Sequence, residues 1–166
     1  DSTDVLAMRR IKVVSESTDF VPILRAFDTD IKRDLFQRLI DVWLTATAIE
    51  KEFGKPGLDA LALFEKTKLV ETKWEALDGK TEKAYHSYYT AFNINTSCSV
   101  QEIAEILSVA SMDEATFDKI DQELATDIVP EGSSARGLAE KFNMPLIRLK
   151  SLLKRSSRLE FRGHIV

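Results

Sequence analysis

Asp78 and Gly79 constrain this chain more than any other two residues. They part LVETKWEAL from KTEKAYHSYYTAF, two stretches rich in β-branched and aromatic residues, and an Asp-Gly pair supplies the backbone freedom that a tight hairpin needs. Everything ahead of that hairpin is patterned as helix. Phe20, Ile23, Leu24 and Phe27 recur at helical spacing, and Ile31, Leu35, Leu39 and Val42 give a second helix one buried stripe, with Asp28 or Asp30 as its cap. Thr45 caps a third helix, TATAIEKEF, which stops at Gly54; a fourth runs from about Gly57 to Lys68 with Leu61 and Phe64 inward.

Helices followed by a β-hairpin are the order of a winged helix-turn-helix. The rest of the chain adds a second module. Ser99 with Glu102, and Ser111 with Glu114, have the spacing of capping boxes and open two helices, the first lined by Val100, Ile103, Ala104 and Leu107, the second by Phe117, Ile120 and Leu124. Ser133 or Ser134 then caps a helix with Leu138, Ala139 and Phe142 inward, Asn143 makes the turn, and Pro145 suits the first turn of a last helix that buries Leu146, Leu149, Leu152 and Leu153. RLEFRGHIV alternates like a terminal strand. The expected class is mainly α with small β-hairpins (α+β), a winged helix-turn-helix in two modules.

Charge divides the chain differently. Residues 1–99 hold 14 Lys and Arg against 16 acids, residues 100–132 hold one against nine, and residues 133–166 hold eight against two. These blocks read as an N-terminal winged helix-turn-helix, an acidic helical connector, and a C-terminal helix-turn-helix with its strand. Apolar runs are a few residues long, far short of the roughly 20 that cross a bilayer. A single cysteine, Cys98, cannot pair within the chain, which suits a reducing cytoplasm.

Catalysis finds no support in the residues. His86 and His164 are the two histidines, and neither stands near Cys98 or a carboxylate at a ligand or catalytic spacing. His86 lies in a Tyr-rich strand and reads as a structural or a surface residue. Gly79-Lys80-Thr81 resembles the end of a phosphate loop, but that motif needs a glycine where Trp74 stands, so it reads as a hairpin tip. No enzyme, metal or cofactor is expected.

Binding to double-stranded DNA has a physical case, because phosphates supply affinity and a helix in the major groove reads base edges. With its leucines buried, the last helix presents Arg148, Ser151 and Arg155 on one outward stripe, flanked by Lys150 and Lys154. Arg136 and Lys141 lie on the helix before it, Arg158 and Arg162 on the strand after it. The fourth helix shows Leu58, Asp59 and Ala60 where polar readers belong, and only Lys55, Lys66 and the hairpin cations Lys73, Lys80 and Lys83 favour DNA there. Trp43, Trp74, Tyr85, Tyr88 and Tyr89 suit a core or a subunit interface. The roles could be reversed, with the wing on DNA through Lys73, Lys80 and Lys83, or both modules could bind protein in a larger assembly.

VWLTATAIEKEF and LFEKTKLVETKWEALDGKTEKAYHSY resemble the Thr-capped helix and the helix-to-wing passage of ArsR-type winged-helix regulators. VPILRAFDTDIKRDLFQRL and the C-terminal helix-turn-helix further resemble an archaeal branch of that family. The resemblance implies a homodimeric, sequence-specific DNA-binding regulator of transcription. The paired cysteines or His/Asp clusters of metal-sensing members have no counterpart here.

Overall fold

The computed structural model describes residues 10–129, 132–160 and 165–166. Two units divide them: one takes the chain up to Val13 and Ala26–Ile94, the other Val14–Arg25 and Asn95–Val166. In chain order the elements are β1 Ile11–Val14, a single 3-10 turn Ser17–Asp19, α1 Phe20–Ala26, α2 Asp30–Asp41, β2 Leu44–Thr45, α3 Ala46–Lys66, β3 Val70–Leu77, β4 Lys80–Ser87, β5 Ala91–Ile94, α4 Val100–Ser111, α5 Glu114–Asp127, α6 Ala135–Lys141 and α7 Leu146–Arg155.

In the first unit α2 and α3 stand beside an antiparallel sheet of order β2-β4-β3, an α+β winged helix. Its core joins Leu35, Phe36 and Leu39 of α2 to Ile49, Ala60, Leu61 and Phe64 of α3 and to Tyr85 of β4. Phe36 meets Phe27 and Phe64 edge to face, with ring centroids 5.0 and 5.3 Å apart, the arrangement favoured by the ring quadrupoles. Thr29, rather than Asp28 or Asp30, caps α2: its hydroxyl accepts from the Lys32 amide at 3.2 Å, while Asp28 and Asp30 pair with Lys32 and Arg33. Thr45 caps α3, accepting from the Ala48 amide at 3.1 Å, and also pairs with Ala84 in the sheet.

The helix-turn-helix is the kink in α3. Gly54 adopts φ 71°, ψ −164°, a region open in effect to glycine alone. The helix resumes through Pro56, which fits a first turn. Gly57 lets the limbs come close, since a Cβ there would stand 2.4 Å from the Phe53 Cβ. After Lys66 the chain turns through Lys68 at φ 59° into the hairpin. Asp78 and Gly79 both have positive φ, 50° and 76°, and the ladder runs from Val70↔Ser87 to Leu77↔Lys80.

The second unit has one core, to which the acidic and the basic blocks of sequence both contribute. Ile106, Val109 and Ala110 of α4 and Phe117 and Leu124 of α5 pack with Leu138 and Ala139 of α6 and Leu149, Leu152 and Leu153 of α7. Val21 of α1 joins them. The three charge blocks are therefore not three structural ones, because the acidic helices and the basic ones bury each other's apolar faces. Ser99 and Glu102 form the expected capping box. Ser111 does not cap α5: it closes α4, donating to the Leu107 carbonyl at 2.7 Å, and Asp113 caps α5 through the Thr116 amide. Ser134 caps α6, Asn143 makes the turn at φ 52°, and Pro145 is the N-cap of α7 rather than part of its first turn.

One further expectation fails in this unit. Val100, Ala104 and Leu107 of α4 face outward, and the buried stripe is Ile106, Val109 and Ala110 with Ile103 half-buried. The middle of the expected terminal strand, residues 161–164, lies outside the described residues; Ile165 bridges Ser134. Replacing Gly54 by Ala tests the kink. It is expected to cost about 1–3 kcal/mol in urea unfolding, because a Cβ strains that backbone.

Candidate nucleic-acid interface

Most of the basic residues expected to face DNA instead meet acids of their own chain. Ser151 is fully buried, its hydroxyl donating to the Ile147 carbonyl at 2.8 Å. Arg148 Nη1 lies 3.0 Å from Glu105 and 3.2 Å from the Ser108 hydroxyl. Lys141 reaches Asp127 at 2.7 Å, Lys154 reaches Asp19 at 2.9 Å, and Arg158 Nε lies 3.5 Å from Asp121. Asp121 is itself buried and accepts from the Ser156 hydroxyl at 2.6 Å. Arg136 is exposed, Lys150 is half-buried, and Arg162 lies outside the described residues, as does His164.

Arg155 departs furthest from the expected outward stripe, with a side chain only 2% exposed. One of its nitrogens, Nη1, donates to the carbonyls of Val109 and Met112 at 2.8 and 2.7 Å, where α4 runs out of intrahelical partners. Nη2 donates to Glu114 at 3.1 Å, and the guanidinium carbon stands 4.4 Å from the Phe117 ring centre. Arg25 reaches the same Glu114 and the Ala110 carbonyl. A cation is thus held at the negative end of α4 and an anion in the first turn of α5, each favoured by its helix dipole. Burial works against the charge of Glu114, but Arg25 and then Arg155 overcome it and hold this carboxyl below the usual range.

The first unit offers a different surface. Lys55, Asp59, Ala62 and Lys66 are exposed along the second limb of α3 at spacings of four, three and four, so they form one outward stripe. Of the three residues expected to be presented here, Asp59 is exposed, whereas Ala60 is buried and Leu58 packs on the core. The hairpin stands beside this limb, tied to it by Lys83, whose Nζ lies 3.4 Å from Glu65 and 5.5 Å from the Tyr85 ring centre. Lys80 is exposed at the turn. Lys73 sits 4.2 Å over the Trp43 ring, which stacks on the buried His86 at 4.9 Å. His86 Nδ1 is 2.8 Å from the Ser87 carbonyl oxygen and 3.6 Å from Glu71, a set of contacts that holds the sheet. Among the described residues no group of three or more His, Cys, Asp and Glu is placed to hold a metal ion, and no helix is long and apolar enough to cross a membrane.

A kinked helix with an outward reading face beside a wing is the frame of many regulators, and one family profile matches it: that of the ArsR transcriptional regulators, over residues 14–166. The chain belongs to the ArsR family. The match is to the family as a whole and spans both units. No curated protein matches the chain. Sequence reasoning about this ArsR-family regulator named Lys55, Asp59 and Lys66 but set Leu58 and Ala60 beside them and missed Ala62, although Thr45 and Gly54 fix both ends of the first limb and the stripe can be counted on from there. It also missed the Arg155–Glu114 clamp, because apolar periodicity assigns every arginine to the surface.

These assignments separate by stability. Arg155→Ala leaves the Val109 and Met112 carbonyls without this donor and Glu114 with Arg25 alone, and is expected to cost about 2–4 kcal/mol in urea unfolding, against less than about 0.5 for Arg136→Ala. The acid limb gives a second measure. A carboxyl whose folded pKa is depressed stabilises above the ordinary glutamate range near 4.3, and that share disappears as pH falls through the folded value. Glu114→Gln should therefore flatten the loss of stability below about pH 4.3.

Proposed function

We propose that this ArsR-family chain is a cytoplasmic, homodimeric regulator that binds double-stranded DNA through its N-terminal winged helix. The observation that supports this is the pairing of an exposed α3 stripe with a wing in one module, while Arg148 and Arg155 are committed within the second unit. On this reading the second limb of α3 enters the major groove, Lys55 and Lys66 meet phosphates at its two ends, and Lys80 reaches a phosphate from the wing. Asp59 accepts from a cytosine amino group and the Ala62 methyl packs on a thymine methyl, two pairings that groove geometry allows. Lys73, over Trp43, and Lys83, paired with Glu65, brace the hairpin from its two faces.

The dimer in this reading forms on α4. Val100 is 84% and Leu107 49% exposed, and with the exposed Ala104 and Ser111 they make an uncharged stripe over three turns of a helix whose other face is already buried. An exposed stripe of this kind in a chain of net charge −4 suits a second copy, with the small Ala104 letting two helices approach closely at a two-fold axis.

The DNA assignment is measured by fluorescence anisotropy of the full chain on a random-sequence duplex pool, as a function of salt. Lys55→Ala with Lys80→Ala is expected to weaken binding and to reduce the slope of log K against log salt by roughly 0.9 for each phosphate that loses its lysine. Arg136→Ala with Lys141→Ala is expected to leave the slope alone; the opposite pattern would move the DNA-binding surface to the C-terminal unit. A chain that binds no duplex at low salt would instead be a protein-interaction module. For the dimer, sedimentation at micromolar concentration should give a two-chain species that Leu107→Glu converts to single chains, and a wild type that sediments as one chain would refute it.

A further inference from the structure

Strand β3 is an open edge. The order β2-β4-β3 pairs it on one side, and among the described residues no strand lies on the other. It is eight residues long, Val70–Leu77, in unbroken register with β4 and without proline, glycine or a bulge. Such devices usually blunt an edge of this length, because a row of unpaired amides and carbonyls recruits another strand. The Tyr88 amide donates to the Leu69 carbonyl at 2.9 Å, one rung before the Val70↔Ser87 pair. Backbone bonding to a neighbour alternates along an antiparallel strand, so Glu71, Lys73, Glu75 and Leu77 direct their amides and carbonyls to β4. Thr72, Trp74 and Ala76 turn theirs outward.

The edge is complementary to itself. In an antiparallel pairing of β3 with β3 of a second copy, centred on Trp74, Lys73 of each chain stands opposite Glu75 of the other and Thr72 opposite Ala76. The two Lys–Glu rungs then fall at non-hydrogen-bonded positions, where Cα atoms come to about 4.5 Å and side chains are closest. Lys73 Nζ already lies 3.5 Å from its own Glu75, so the four groups close into a square of alternating charge. Glu75 gains most, since within one chain it faces Glu82 across the ladder, a like-charged rung. On the opposite face the two indoles meet at the axis. Trp74 is 71% exposed in one chain, and the small Thr72 and Ala76 flank it. The neighbouring registers lack this match. One centred on Lys73 sets Lys73 against Lys73 and Glu71 against Glu75, and one centred on Glu75 sets Glu75 against Glu75.

We propose that the edge of β3 is a docking surface for a second copy of this chain, joined strand to strand about a two-fold axis at Trp74. A strand of some other protein would not call for charges that mirror each other about the middle residue. This edge shares no residue with the α4 stripe and does not depend on it. A chain with two self-complementary surfaces links its dimers into larger assemblies.

Sedimentation of the full chain against concentration tests the pairing. One pair of edge strands buries less than the about 1,200 Å² of stable interfaces, so association beyond the species present at micromolar concentration should appear only toward roughly 0.5 mM. Lys73→Glu or Glu75→Lys alone makes both rungs like-charged and should weaken this step by roughly tenfold or more, whereas an equimolar mixture of the two variants, whose rungs are all opposite in sign, should recover it. In amide exchange followed by NMR, Thr72, Trp74 and Ala76 should slow as concentration rises, while Lys73 and Glu75, already bonded to β4, keep their rates. Leu107→Glu, which removes the α4 contact, should leave both results in place. A mixture that associates no better than either variant alone, or a Trp74 amide indifferent to concentration, would overturn the pairing whatever the species at micromolar concentration. Loss of the high-concentration step in Leu107→Glu would overturn it too, by assigning that step to α4.

Discussion

The second unit depends on one guanidinium kept from water. Arg155 closes the carbonyl end of α4, meets the first turn of α5 at Glu114 and stacks on Phe117, so a single side chain fixes how two acidic helices follow one another. Such a charge is tolerable only because its donors are matched; left with one partner fewer it would be a liability of several kcal/mol. The neighbouring pairs of Lys141, Arg148 and Arg158 with Asp127, Glu105 and the buried Asp121 repeat the logic under partial cover, and the more exposed Lys141 pair is worth little by itself. Much of the uneven spread of charge along the sequence is thus matched by ion pairs within the second unit.

Local signals in the sequence translated directly. The Asp78-Gly79 turn, the Thr45 cap, the stop at Gly54, the Ser99–Glu102 box and the Asn143 turn each rest on one or two residues and their own backbone, and all appear where their chemistry places them. Tertiary choices were not legible. Helix α4 is apolar on two faces, Val100–Ala104–Leu107 and Ile106–Val109–Ala110, and periodicity cannot say which one the core will take. Ser151 and Arg155 lie buried on a helix whose polar residues were all assigned to water, because hydroxyl-to-carbonyl and guanidinium-to-helix-end bonds satisfy them inside. Asp113 outcompeted Ser111 as a cap because it stands immediately before the helix it opens.

The family match and the winged helix agree on a regulator of transcription, and on the proposed reading the charge of the N-terminal module bears on how such a regulator would discriminate. Asp59 lies between Lys55 and Lys66 on the exposed stripe, and Glu65 stands beside it. Carboxylates near a phosphate backbone lower the affinity for every sequence alike, whereas matched base contacts recover it at particular ones. A module of mixed charge therefore relies on fit more than on attraction.

Thr45 has two attachments. It is a rung of the sheet opposite Ala84 and, through its hydroxyl, the first anchor of α3. Pulling Thr45 out of its pairing with Ala84 would disturb the first turn of α3 in the same motion, because the one residue holds both. The ribbon and the helix beside it are consequently geared together, and a displacement of one must either carry the other along as a solid piece or break this joint.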